Sequence, residues 1–145
     1  MANTKRQDIL NKIKEIIEAV QLDGLTLFNS VKTTRMPPSD IETTAFPVCY
    51  VYSDRETLLV EGEKAVIGQE TYDWFIMLEV WASDTEMEDI LQVIHNAMAA
   101  NYKFSNLASF SERLGVDFMI VDPSTQLTAM LIPYHIVYRH SFGAM

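Results

Sequence analysis

The stretch TYDWFIMLEVWAS, residues 71–83, constrains this chain more than any other. Aromatic and β-branched residues dominate it, and it reads as a β-strand whose successive side chains point to opposite faces. One face carries Tyr72, Trp74, Ile76, Leu78 and Val80, all apolar. The other carries Asp73, Phe75, Met77, Glu79 and Trp81, apolar with charges set into it. Each face of such a strand needs a cover. The fold has to provide two layers, or the protein has to recruit one.

Few segments are available to provide them. Residues 5–21 read as an amphipathic helix, with Ile9, Ile13, Ile16, Ile17 and Val20 at helical spacing and Asp23-Gly24 as its terminator. LTLFNSVK follows as a short strand, TTRMPPSDIETT as a loop, and FPVCYVYS, residues 46–53, as a second strand. ETLLVEG and EKAVIGQE form a hairpin arm with Gly62 at its tip. After the long strand, Ser83 and Glu86 have the spacing of a capping box. The helix that follows aligns Met87, Leu91, Ile94 and Met98 and runs to about Asn101. KFSNLASFSER reads as a loop. LGVDFMIV and QLTAMLIPYHIVYRHSF read as closing strands joined across DPST, with Pro133 marking an edge position or a bulge. These elements predict one α+β domain spanning residues 1–145. Its sheet is mostly antiparallel, both helices pack on one face, and a β-hairpin arm projects. Two helices cover one face of that sheet, and self-association is the simplest cover for the other.

Charge is concentrated. Eleven of the twenty acids and only two of the eleven bases fall in residues 54–89, so this quarter of the chain carries all of the net charge of −9. Such a balance argues against ordinary binding to a phosphate backbone, which needs clustered Lys and Arg. It fits solubility, a basic protein partner, or a surface past which nucleic acid slides without sticking. The single cysteine, Cys49, excludes an intrachain disulfide and fits folding in a reducing cytoplasm. The N-terminal residues lack a signal-peptide core, and no apolar run approaches a membrane span.

Motifs for catalysis are missing. His135 and His140 lie five apart on one strand, on opposite faces, and cannot share a metal; His95 reads as a boundary or surface residue of the second helix. Cys49 sits within PVCYV as a small buried hydrophobe. There is no glycine-rich phosphate loop, GxSxG elbow or HExxH, and the Glu61/Glu63 and Glu86/Glu88 pairs read as solvated charge. The chain is expected to be non-enzymatic and to need no cofactor or metal.

In order and spacing the chain resembles the tail terminator, or tail-completion, proteins of long-tailed bacteriophages. The N-terminal helix is followed by a loop with RMPP, and FPVCYVYSDRE is similar to the family's apolar-Pro-apolar strand leading into an acidic arm. The long strand YDWFIMLEVWA passes straight into the helix DTEMEDILQVIHNAM, and the closing hairpin ends in LIPYHIVYRH. The resemblance implies a subunit of a ring, commonly a hexamer, on the head-proximal end of the tail tube in the virion. Such a ring stops tube polymerisation and meets the head-completion or connector protein, with DNA only in transit and no membrane partner. On this reading Arg55, Phe75, Met77 and Trp81 are subunit-interface residues, and Glu61, Glu63 and Glu70 on the arm face the channel. Two alternatives stay open: another neck or head–tail connector ring protein, and a dimeric small-molecule-binding α+β domain with the aromatic face lining a pocket.

Overall fold

The computed structural model describes residues 4–33, 47–59, 69–83, 86–104, 106–122 and 127–141. Helix α1 (Lys5–Glu18) is followed by two short strands, β1 (Gln21–Leu22) and β2 (Leu25–Thr26), and by β3 (Ser30–Lys32). Two long strands come next, β4 (Val48–Leu59) and β5 (Gln69–Ser83), then helix α2 (Met87–Ala100). β6 (Phe110–Arg113), β7 (Asp117–Asp122) and β8 (Leu127–Ser141) close the fold. The α+β class and the mostly antiparallel sheet expected from the sequence are what the chain adopts. The RMPP loop, the arm tip with Gly62, and the DPST turn lie outside the described residues.

α1 starts at a capping box that the hydrophobic spacing did not reveal. The Thr4 hydroxyl accepts from the Gln7 N–H, and the Gln7 side chain accepts from the Thr4 N–H. Ile9, Ile13, Ile16 and Ile17 then bury one stripe of the helix, each contributing roughly 2 kcal/mol relative to exposure. Asp23-Gly24 does not terminate this helix, which ends at Glu18. With φ of 55° and 80° the pair forms the two-residue turn of the β1–β2 hairpin, where both central residues need positive φ. The segment LTLFNSVK accordingly breaks into β2 and β3.

The main sheet has the order β3-β4-β5-β8-β6, with β7 also on β8. Among the described residues, only the β3–β4 pair is parallel. β8 is an interior strand: one edge pairs with β5 along its whole length, from Gln69↔Ser141 to Ser83↔Leu127. β6 and β7 divide the other edge between them. β8 therefore accompanies the described base of the arm, which is three-stranded. Pro133, expected at an edge or a bulge, stands inside this interior strand. The Leu114 N–H donates to the Pro133 carbonyl at 3.0 Å, so the nitrogen of Pro133 faces the chain just past the end of β6. There the sheet changes from one short partner strand to the other, and a missing donor costs no ladder bond.

Both helices pack on the face carrying Tyr72, Trp74, Ile76, Leu78 and Val80, together with Cys49, Val51, Met130, Ile132 and Ile136. The N-cap of α2 is not Ser83, as the expected capping box with Glu86 required. β5 keeps its ladder through Ser83, opposite Leu127, and the N-cap of α2 is Glu86 without a side-chain cap bond. Part of the segment read as a loop after α2 is strand β6. Phe104 sits at φ 48° with its side chain fully buried. That left-handed conformation is strained for a bulky residue, and burial of the ring in the core offsets it.

Candidate functional site

The sheet face away from the helices is laid out in rows by the strand register. Val48, Trp81 and Ala129 form one row; Tyr50, Glu79, Leu131 and Asp117 the next. Tyr52, Met77 and Pro133 form a third, which Leu114 extends through its hydrogen bond to Pro133. Arg55, Phe75, His135 and Glu112 form a fourth, crossing β4, β5, β8 and β6.

A bulge sets up the fourth row. Between Ser53 and Arg55 the β4–β5 register slips by one, leaving Asp54 unopposed. Before it, Cys49, Val51 and Ser53 face the helices; after it, Glu56 does and Arg55 points to the opposite face. The guanidinium carbon of Arg55 lies 4.4 Å from the Phe75 ring centroid. Phe75 stacks on His135 at 4.9 Å and 17°, and Phe110 meets the imidazole edge-on at 5.6 Å. His135 Nε2 is 2.8 Å from Asp73 Oδ1, and Nδ1 is 3.2 Å from Glu112 Oε1.

Glu56, sent to the helix side by the bulge, accepts from the Tyr138 hydroxyl at 2.5 Å and meets Arg6 at 3.5 Å. Burial first, and the bond to Glu56 second, push the Tyr138 phenol well above its usual range. Lys5 Nζ donates to the Arg139 carbonyl at 2.6 Å. Together these contacts fasten the start of α1 to the base of the arm.

Trp81 does not stand on an uncovered face, as its sequence position led us to expect. Its side chain is 3% exposed and clusters with Val48, Tyr50 and Ala129. Its indole donates to Glu79, itself 2% exposed, which also accepts from the Tyr52 hydroxyl. Phe75 and Met77 are half-buried and Arg55 is exposed. Glu61 and Glu63 lie outside the described residues, and Glu70 pairs in register with His140 on β8. Cys49 is buried, and burial raises its thiol well above the usual range, with Glu79 adding to the effect. His95 is exposed on α2.

The carboxylates around His135 were not singled out in the sequence. Asp73 and Glu112 are 62 and 23 residues away from it, and only the strand register unites the three. Among the described residues, no three His, Cys, Asp or Glu side chains are placed to hold a metal ion. No described helix is long and apolar enough to cross a membrane. No known family model matches the chain, and no curated protein matches it either.

Proposed function

We propose that the chain is a structural ring subunit of a phage neck, acting as a tail terminator. The ring ends tail-tube polymerisation at its head-proximal end and joins the tube to the head-completion proteins. The observation that carries this reading is the row Tyr52, Met77, Pro133 and Leu114. Both helices lie on the other face of the sheet, while Tyr52, Met77 and Pro133 are half-buried and Leu114 is 52% exposed. An apolar band crossing a sheet in this way suits a contact between copies. Arg55 and Phe75 flank it and belong to the same contact. The acidic arm, with Glu61, Glu63 and Glu70, lines the channel and keeps DNA in transit from adhering.

Light scattering after size exclusion, across concentration and salt, tests the first half. A ring, or a monomer that becomes a ring as concentration rises, is expected; a stable dimer would favour the ligand-binding alternative. Incubation with polymerising tail tubes tests the second. Binding confined to tube ends with arrest of growth is expected, and binding along the tube or none overturns the terminator role. Infectivity that survives neutralisation of all three arm glutamates would rule out the channel role.

A further inference from the structure

We propose that His135 is a proton-dependent clasp holding edge strand β6 to the sheet. This does not rest on the ring assembly. A neutral imidazole donates from one nitrogen only, whereas the doubly protonated ring donates from both. Here both nitrogens face carboxylate oxygens, Asp73 on β5 and Glu112 on β6, and carboxylates can only accept. Only the doubly protonated ring satisfies both contacts.

When the ring loses a proton, one nitrogen presents a lone pair to a carboxylate oxygen. The Asp73 contact is the shorter, and its side chain is 23% exposed against 57% for Glu112. Asp73 keeps the remaining donor, and Glu112 turns to water. β6 has only four residues, and its described strand pairing is to β8 alone. With the Glu112 tie lost, the contacts that remain include that short ladder, the Phe110 edge contact and the bond from the Ser111 hydroxyl to the Tyr102 carbonyl at 2.8 Å.

Besides Asp73 and Glu112, the ring's neighbours are apolar, with one guanidinium beyond them. On β8 its same-face neighbours are Pro133 and Val137, and Phe75 and Phe110 enclose the ring. Arg55, on β4, stays cationic and lies beyond the Phe75 ring. Both helices pack on the opposite face of the sheet.

The test is heteronuclear NMR on the intact chain, following the His135 ring shifts and amide-exchange protection factors at each pH. Protection of the β6 amides is expected to fall roughly tenfold as the ring deprotonates, the loss of one charge-assisted bond. The two midpoints should coincide, while the amides of Trp74–Leu78 on β5 hold constant. In Glu112→Gln the step should vanish, because a carboxamide can donate to or accept from the ring in either state. A flat β6 profile through the ring titration, or a step that persists in Glu112→Gln, overturns the proposal.

Discussion

Trp81 donates its indole N–H to the carboxylate of Glu79 at 2.7 Å, two residues back along the same face of β5. Tyr52, from β4, donates to the other oxygen of that carboxylate at 2.9 Å. A buried carboxylate is costly unless several donors meet it, and here two aromatic side chains bring theirs. Glu79→Ala removes the acceptor from both. We expect it to destabilise the protein by about 3 kcal/mol in denaturant unfolding, and Glu79→Gln by roughly half as much, because the amide oxygen still accepts. Equal, small losses in both variants would show that other contacts carry the pair.

Tyr134 is the counterexample on the helix side. Its hydroxyl is buried and has no hydrogen-bond partner among the described residues, and burial pushes the phenol up to about 12. An unfolded tyrosine ionises near 10, so between pH of about 10 and 12 the unfolded state binds fewer protons than the native state. The contribution of Tyr134 to stability is complete below that window and is lost as pH rises through it. Tyr134→Phe should be neutral or stabilising by up to about 1 kcal/mol at pH 7. It should also flatten the alkaline loss seen in thermal unfolding from pH 9 to 12. An unchanged alkaline profile would assign that loss to other groups.

Gly24 tests the β1–β2 turn. Its φ is +80°, and a Cβ added there would meet nothing within 4 Å. Gly24→Ala therefore isolates backbone strain from steric clash, and a loss of about 1 kcal/mol is expected by denaturant unfolding. Gly24→Asn should recover part of it, since Asn tolerates left-handed backbone.

Met77 tests the interface. Its side chain is half-buried beside Tyr52 and Pro133 in the chain alone, and becomes fully buried in the proposed ring. Met77→Asp should raise the concentration needed for assembly by at least about tenfold, since an unpaired charge is expensive to bury. Circular dichroism should stay native. Assembly of Met77→Asp at the wild-type concentration would place the contact elsewhere.

The local chemistry of the chain was legible in its residues. Isoleucines at helical spacing required the first helix, and alternation in residues 71–83 required a long strand with two apolar faces. The charge cluster argued against a phosphate-backbone binder. These are short-range properties, fixed by the periods of helix and strand. The Asp23-Gly24 turn was also readable, because its chemistry is local, yet the apolar spacing before it drew it into the helix.

Strand register decided the rest. The bulge at Asp54 sends Arg55 to one face and Glu56 to the other, so one pairs with Phe75 and the other with Tyr138. Alternation along β4 alone cannot locate that slip, because one unopposed residue reverses every side chain beyond it. The same register brings Asp73, Glu112 and His135 together and places Pro133 at the gap between β6 and β7. By itself the sequence determined which residues seek the interior and which helices and long strands they form. Which polar groups meet across strands was decided only by the tertiary pairing, because those contacts join residues far apart in the chain.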